Sequence, residues 1–272
     1  MPRPVGGGDI NAAWRIRTEQ NAVFLKTGPA TSYDMFLAEA EGLQELAQAA
    51  AVRVPRVLGC IVSGSEAVLA LEWLDFEPAD ATSERLLGEQ LAALHRHREE
   101  RFGWHRDNTI GSTPQINDWK DNWINFWSEH RLGYQLELAA ARGIGSAAIK
   151  TGEKLQERLG DYFQDYQPEA SLLHGDLWSG NYGFLPNGEA VIFDPATYYG
   201  DREADMAMTE LFGGFGGEFY AGYNASWPLD AGYKIRKTLY NAYHILNHFN
   251  MFGGGYGSQA ESMMGRLLAE VS

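Results

Sequence analysis

The sequence predicts an α+β protein of two unequal lobes, a small mixed β-sheet with one helix followed by a larger, mainly helical part. Three patterns indicate this. Apolar runs with the length of strands are concentrated before residue 75, helical periodicity dominates after Pro78, and short strands that bear polar loops interrupt the helical part over 171–193. We therefore divide the 272 residues into a first lobe over 1–75 and a second lobe over 76–272.

The first lobe starts with the pattern of a β-hairpin and continues with one helix. Apolar side chains alternate on both sides of a Glu-Gln-Asn turn and then recur at helical spacing, with Phe36, Ala40 and Leu43 on one face. The predicted elements are strands over 13–17 and 22–26, a helix from Tyr33 to about Ala51, and strands over 57–62 and 67–73.

The second lobe has helical periodicity in most of its length. Three short strands form an island within it, and an Asn187-Gly188 turn joins the last two of them. The predicted helices are 83–98, 118–142, 147–165, 202–212, 229–252 and 258–270, and the predicted strands are 171–173, 182–185 and 190–193.

The composition is that of an ordinary globular protein, with 44% hydrophobic and 21% charged residues. The net charge of −14 at pH 7 argues against nucleic acid or an anionic membrane as a partner, because both attract clustered Lys and Arg. No run of about 18 apolar residues occurs and the N-terminal residues lack the pattern of a secretory signal, so we expect a cytoplasmic protein. The single cysteine, Cys60, excludes an intramolecular disulfide and a Cys-rich zinc site.

The polar loops of the second lobe carry residues suited to phosphoryl transfer. His174-Gly175-Asp176 is followed by Asn181, and Asp194 ends the next apolar strand. Phosphoryl transfer needs one carboxylate that orients the acceptor hydroxyl, and an amide oxygen and a second carboxylate that hold the magnesium ions on the ATP phosphates. The alternative is that these residues only form turns and helix caps. We predict Asp176 as the catalytic residue, Asn181 and Asp194 as metal ligands, and ATP and Mg²⁺ as cofactors.

The spacing of these residues resembles the catalytic and metal-binding loops of protein-kinase-like enzymes. The His-Gly-Asp and Phe-Asp-Pro forms are similar to those of aminoglycoside-phosphotransferase-like kinases, which act on small molecules. The resemblance implies a strand lysine that holds ATP phosphates and a helix glutamate that pairs with it. Lys26 ends an apolar strand and Glu39 follows 13 residues later, with Glu41 as the alternative partner.

Two further segments are candidates for binding ATP. Gly7 and Gly8, in the glycine run at 6–8, let a backbone turn approach the phosphates, because glycine tolerates positive φ and has no side chain in the way. At the junction of the lobes, Glu72, Trp73 and Leu74 are predicted to present main-chain groups to adenine.

A closer resemblance is carried by HGDLWSGN with Phe-Asp-Pro-Ala, by the segment 198–208, and by the Trp-rich stretch over 103–132. Over roughly residues 6–254 the chain resembles the fructosamine kinase (ketosamine-3-kinase) family. That similarity implies a protein-kinase-like fold and MgATP-dependent phosphorylation of a sugar-derived ketoamine at carbon 3, a deglycation reaction. Such enzymes enter the glycine loop from a longer segment, whereas five residues precede it here, so we expect a shortened first strand.

The substrate contacts are predicted from the same motif. Trp178 lies two residues after the catalytic aspartate and is suited to stack on the sugar or the aminoalkyl stem, with core packing as the alternative; His174 is the second candidate. Asp205 resembles a family position that braces the catalytic loop. Tryptophans 119, 123 and 127 recur on one helical face, which is usually a core face.

Two other functions remain open at this point. One keeps the fold but replaces the ketoamine, free or protein-linked, by an aminoglycoside, a choline-like amine or another small molecule. The other is a catalytically inactive nucleotide-binding protein.

Overall fold

The first lobe is built on a five-stranded antiparallel sheet. The computed structural model describes residues 2–6, 11–17 and 22–271. The strand order is β1-β2-β3-β5-β4, so the β2–β3 hairpin lies beside the pair formed by the last two strands. The strands are β1 (Arg3–Pro4), β2 (Ala12–Arg17), β3 (Ala22–Pro29), β4 (Val57–Ser63) and β5 (Glu66–Glu72). Strand β1 has two residues, both paired to β2.

One helix covers this sheet. Helix α1 (Tyr33–Gln48) buries Phe36, Ala40, Leu43 and Leu46, whose spacing of three or four residues places them along one stripe. These side chains join the same core as the buried residues of β5. The helix ends close to Ala50, which has a positive φ of 51°. The predicted helix and the four predicted strands of this lobe are therefore confirmed to within a few residues.

The second lobe is mainly helical. Its helices are α2 (Ala81–Leu94), α3 (Trp123–Phe126), α4 (Tyr134–Ala141), α5 (Ser146–Glu157), α6 (Arg202–Leu211), α7 (Gly217–Ser226), α8 (Tyr233–Phe252) and α9 (Tyr256–Glu270). A π-helical segment, Trp127–Gly133, joins α3 to α4, and a 3₁₀ helix, Leu159–Phe163, follows α5.

The structure corrects several predicted helix boundaries. Helix α2 ends four residues before the predicted end at 98, because Arg98–Glu99 form strand β6 instead. The long helix predicted over 118–142 begins at Trp123 and contains the π-helical segment. Helix α7 was not predicted, since its glycine-rich start reads as a loop in the sequence.

Short antiparallel strands position the loops of the second lobe. β9 (Ala170–Leu173) lies between β12 (Tyr198–Gly200) and β6, while β10 (Tyr182–Phe184) pairs with β11 (Ala190–Ile192), and β7 (Asn108–Ile110) pairs with β8 (Thr113–Gln115). The predicted Asn187-Gly188 turn is confirmed, with Gly188 at φ +82°. Since β9 pairs with β12 and β10 with β11, the β9–β10 and β11–β12 loops are brought side by side.

The two lobes meet along α1 and the β10–β11 hairpin. Glu45 of α1 accepts a hydrogen bond from the Tyr199 hydroxyl at 2.7 Å, and Arg53 pairs with Glu189 at 2.9 Å. One continuous hydrophobic core includes residues of both lobes. The segment that joins the lobes runs between the end of β5 and the start of α2; the division after residue 75 stays a prediction. Within the described residues, none of the helices has the length and apolarity needed to cross a membrane.

Candidate active site

The β9–β10 loop and the β11–β12 loop bring together the three predicted catalytic and metal-binding residues. The amide nitrogen of Asn181 donates to the main-chain oxygen of Asp176 at 2.9 Å, and lies 3.4 Å from that residue's Oδ2. The same nitrogen lies 3.3 Å from the main-chain oxygen of Asp194. Asn181 thus ties the two loops together through its nitrogen, and its amide oxygen takes no part in these three contacts.

Lys26 reaches this group from the other lobe. Its ammonium donates to Glu39 Oε1 at 2.8 Å and to Asp194 Oδ1 at 2.6 Å. Glu41, the alternative partner, instead contacts His105 and Arg106. The partner of the strand lysine is therefore Glu39, which faces β3, whereas Glu41 lies two residues on and faces the second lobe.

Asp205 braces the catalytic loop through its main chain. Its two carboxylate oxygens accept hydrogen bonds from the N–H groups of His174, at 2.7 Å, and Gly175, at 2.9 Å. Behind it, His95 Nε2 lies 3.3 Å from the carboxylate, while His95 Nδ1 lies 2.8 Å from the Tyr223 hydroxyl. Three buried side chains, those of Asp205, His95 and Tyr223, therefore hold the main chain of the turn that precedes Asp176.

The prediction that His174 contacts substrate is corrected by its surroundings. Its side chain is fully buried. Nε2 lies 2.9 Å from the Phe193 carbonyl, and Nδ1 accepts the N–H of Asp176 at 3.3 Å. Burial lowers the pKa of His174, in keeping with a neutral ring that donates from Nε2. His174 therefore holds the catalytic loop against the metal-binding loop and has no exposed surface for a substrate.

Burial and neighbouring charges shift the ionisation of the site. Burial, with the Asp194 and Asp205 carboxylates, raises the pKa of Asp176 to about 7. Burial raises the pKa of Glu39 to about 6, although the Lys26 ammonium lowers it. Burial favours the neutral amine of Lys26, but its two carboxylate partners outweigh this and raise its pKa. Burial alone would raise the pKa of Asp205, yet the bond and charge of His95 hold it below its usual value.

The donor set fits magnesium bound together with a nucleotide. Mg²⁺ prefers oxygen ligands and is commonly held by one or two protein groups, with phosphate oxygens and water completing an octahedron. Asp194 and Asn181 offer a carboxylate and an amide oxygen from adjacent loops, and the Asp194 side chain is 42% exposed. Within the described ranges no group of three or more His, Cys, Asp or Glu side chains is arranged to hold a metal unaided. Asp194 also has a positive φ of 57°, rare for a non-glycine residue and frequent at functional sites.

The other predicted ATP contacts are placed only in part. Gly7 and Gly8 lie outside the described residues. The Glu72 N–H donates to the Arg56 carbonyl, and the Glu72 carboxylate accepts from the Arg56 N–H, so both groups are held by the residue that precedes β4. Trp73 lies under the Arg15 guanidinium, 4.2 Å from the ring centroid, and its indole N–H donates to Asp75. The adenine-binding role of Glu72, Trp73 and Leu74 stays a prediction.

The tryptophans divide into core and surface. Trp123 and Trp127 are buried, with ring centroids 5.3 Å apart and planes tilted by 39°, as a core face predicts, whereas Trp119 lies before α3 and is half-buried. Trp178 is 38% exposed, and its ring lies over Gly180, where a side chain would collide with the indole. Of the described tryptophans, Trp178 is thus the one within the catalytic loop that offers a partly open face beside Asp176.

A buried amide network that the sequence analysis did not assign supports the metal-binding loop. Asn108 donates to the Thr197 carbonyl at 2.8 Å, and Gln115 donates to the Ala196 carbonyl at 3.1 Å and to Asn108. Arg131, fully buried in the π-helical segment, extends the network through Asn117. The polar residues of the β7–β8 hairpin, which the structure buries, are the part of the sequence that could have indicated this network. His95 was also missed, although its place four residues after Leu91 puts it on the buried face of α2.

Comparison with known proteins agrees with this arrangement. The fructosamine kinase family model matches residues 2–270. A probable ketoamine kinase of Synechocystis sp. is 49% identical over 98% of this chain and 90% of its own, and the chloroplastic protein-ribulosamine 3-kinase of Arabidopsis thaliana is 42% identical over 96% of this chain and 80% of its own.

Solved structures of a fructosamine kinase and of an aminoglycoside phosphotransferase are similar to this chain. A protein of Haemophilus somnus 129PT that is assigned as a fructosamine-3-kinase superposes with a TM-score of 0.90, at 31% identity, over 98% of this chain and 91% of its own. An aminoglycoside phosphotransferase in complex with ADP and hygromycin B superposes at 0.67 with 15% identity, over 99% and 93% of the two chains, and shares the fold alone. The protein-kinase-like fold predicted from the sequence is thereby confirmed. The chain belongs to the fructosamine kinase family.

Proposed function

We propose that this protein is a kinase that transfers the γ-phosphoryl group of MgATP to the carbon-3 hydroxyl of a ketoamine, the adduct of a sugar and an amine. The convergence of Lys26, Asp176, Asn181 and Asp194 at the meeting of the two lobes carries the proposal. The names of the family relatives, ketoamine kinase and ribulosamine 3-kinase, support the acceptor class. Loss of the phosphorylated sugar would then release the amine, so the reaction would serve deglycation.

Asp176 is the proposed base. Its carboxylate accepts a hydrogen bond from the acceptor hydroxyl and directs the hydroxyl oxygen at the γ-phosphorus. As the new O–P bond forms and the bond to the ADP oxygen breaks, the proton passes to Asp176. A pKa of about 7 suits this step, because a carboxylate with that pKa both gives up and holds a proton near neutral pH.

Asn181 and Asp194 are the proposed magnesium ligands. Bound magnesium would neutralise charge on the phosphates and bridge them. Lys26, directed by Glu39, would contact the α and β phosphates, since its ammonium already lies in the cleft beside Asp194. The main chain of 72–74 is proposed to contact adenine, and Trp178 to stack on the sugar or the stem of the amine.

The role of Asp176 is tested by Asp176→Ala. We expect turnover to fall by about 10²- to 10⁴-fold, because the base acts in the transition state, while MgATP affinity changes little. Asp165→Ala, which removes an exposed carboxylate outside the site, is the control. Turnover is measured by coupled ADP release and affinity by calorimetry. Wild-type turnover in the Asp176 variant would remove it from the mechanism.

The role of Asp194 is tested by Asp194→Ala. We expect magnesium-dependent ATP binding to be lost, because the carboxylate on the metal is removed and Lys26 keeps only one partner. Titration of ATP with and without magnesium separates the metal-dependent part. MgATP binding as tight as in the wild type would contradict the assignment.

The acceptor class is tested by a substrate panel. ATP consumption is compared for a ribulosamine, a fructosamine, an aminoglycoside and choline at equal concentration. We expect turnover with one or both ketoamines and none with the other two. Binding of MgATP without turnover of any acceptor would instead favour a catalytically inactive nucleotide-binding protein. A cytoplasmic location stays a prediction from the sequence.

A further inference from the structure

An exposed aromatic surface lies beside the catalytic loop and has no part in the chemistry assigned above. It consists of Phe212, His248 and Phe252, which we call the aromatic shelf. Phe212 is 43% exposed and Phe252 is 57% exposed, and the ring centroids of both lie within 6 Å of His248, at 4.9 Å and 5.8 Å. Tyr256 closes the far side of His248 at 5.2 Å.

The shelf is fixed in place by the ends of two helices. Phe212 follows the last residue of α6, and Phe252 is the last residue of α8. Glycines with positive φ come directly after both, Gly213 at 72° and Gly253 at 70°, so the chain turns away and leaves the rings uncovered. His248 lies on the last turns of α8, where its Nδ1 is 2.8 Å from the His244 carbonyl.

The shelf is joined directly to the catalytic loop. Gly214, two residues after Phe212, packs on Ser179 so closely that a Cβ at Gly214 would lie 2.3 Å from the Ser179 Cβ. The Gly214 carbonyl accepts the Tyr182 hydroxyl at 2.8 Å, where β10 begins. Ser179 follows Trp178 and lies three residues after Asp176, so the α6 end of the shelf is packed against the loop that carries both.

The chemistry of a ketoamine suits the shelf. Its sugar must reach Asp176, and the secondary ammonium on carbon 1 of the sugar carries an alkyl stem that leads away from the sugar. Aromatic faces bury methylene groups and attract cations, and the protein's net charge of −14 favours a cationic guest. Exposed rings packed against the loop that carries Asp176 therefore fit the amine substituent.

We propose that the aromatic shelf binds the amine substituent of the ketoamine and so selects substrates with a long alkyl stem, such as a glycated lysine side chain, over those with a small amine. The inference rests on the proposed function and deepens it. Phe212 and Phe252 set specificity at the amine end, whereas Asp176 and the metal ligands act on every ketoamine alike.

Two ketoamines with the same sugar test the proposal. One is made from methylamine, which has no stem, and the other from the side chain of lysine within a short peptide. In Phe252→Ala and Phe212→Ala we expect kcat/KM for the lysine ketoamine to fall by roughly 3- to 30-fold, mainly through KM, because one ring no longer covers methylene groups of the stem. We expect kcat/KM for the methylamine ketoamine, and KM for ATP, to change less than about twofold.

Two further variants make the result specific. Ile61→Ala removes an apolar side chain of the first lobe that is as exposed as Phe252, at 57%. It should leave kcat/KM for both ketoamines unchanged. Phe252→Leu keeps an apolar contact but removes the ring, and should lie between the wild type and Phe252→Ala. Melting temperatures confirm that each variant is folded.

The possible outcomes distinguish a failure of the shelf proposal from a failure of the proposed kinase function. Equal losses on both ketoamines, or no loss on either, would overturn the shelf while the kinase function stands. No turnover of either ketoamine by the wild type would overturn the function itself. A selective loss for the lysine ketoamine in the shelf variants alone supports the proposal.

Discussion

At the scale of single residues, the surroundings of Asp176 lower the stability of the folded protein near neutral pH. Its carboxylate is half-buried, and burial with the charges of Asp194 and Asp205 raises its pKa from an ordinary 3.8 to about 7. The folded state therefore disfavours the ionised form that the proposed reaction uses. Perturbed carboxylates of this kind are concentrated where a fold gives up stability for function.

Asp176→Asn should stabilise the nucleotide-free protein at pH 8 and lose that effect towards pH 4. Between the unfolded pKa of 3.8 and the folded pKa of about 7, the folded state binds more protons than the unfolded state, so wild-type stability falls as pH rises. An asparagine does not titrate. We expect a gain in unfolding free energy of about 1–3 kcal/mol at pH 8, measured by urea denaturation without magnesium. A variant equally stable with the wild type at both pH values would contradict the raised pKa.

At the scale of elements, the helix missed in the sequence analysis has an unusually close neighbour. Helices α2 and α7 touch through two glycines, one on each. A Cβ at Gly88 of α2 would lie 2.0 Å from the Phe219 carbonyl oxygen, and one at Gly222 of α7 would lie 2.1 Å from the Arg85 carbonyl oxygen. This contact places Tyr223 against His95, and through it supports Asp205.

Gly88→Ala should destabilise the protein by about 1–3 kcal/mol, because the two helix backbones must separate to admit one methyl group. Gly217→Ala is the matched control in α7, where a Cβ would meet nothing within 4 Å and alanine is the better helix former. We expect it to be neutral or stabilising by up to about 1 kcal/mol. Thermal and urea unfolding measure both. Equal changes in unfolding free energy for the two substitutions would show that the close packing at Gly88 does not cause the loss of stability.

At the scale of the whole molecule, the lobes are joined by charge pairs and by a shared core. Lys26 and Asp194 are 168 residues apart in sequence and 2.6 Å apart in space, and Glu45 and Arg53 add two further contacts between the lobes. The core runs without a break from the first lobe to the second. This predicts a single cooperative unfolding unit.

The single cysteine allows that prediction to be measured. Cys60 lies on β4 in the first lobe, whereas most helices lie in the second. We expect the urea midpoint of Cys60 reactivity to coincide with that of helical circular dichroism. MgATP at 100 times its dissociation constant should shift both midpoints together, by about 2.7 kcal/mol of added stability. Two separate midpoints would show that the lobes unfold independently.

Periodicity and motif spacing were enough to predict most of the helices and strands and to select the residues that are proposed to carry the chemistry. Helical and strand periodicity are local properties, so α1, the β10–β11 turn and the order of Lys26, Asp176, Asn181 and Asp194 could be read from spacing. Predicted boundaries were wrong where tertiary contacts overruled a local preference. The residues of β6 continue a helical pattern in the sequence, but in the structure they pair with β9.

Only the tertiary structure decided which groups meet. Glu39 and Glu41 are both acidic residues of one helix, and the angle at which α1 lies on the sheet gives one to Lys26 and the other to the second lobe. His174 belongs to the motif, yet the pairing of β9 with β12 and of β10 with β11 buries its ring. Contacts between residues distant in the chain depend on how elements pack, and spacing along the sequence carries no record of that packing.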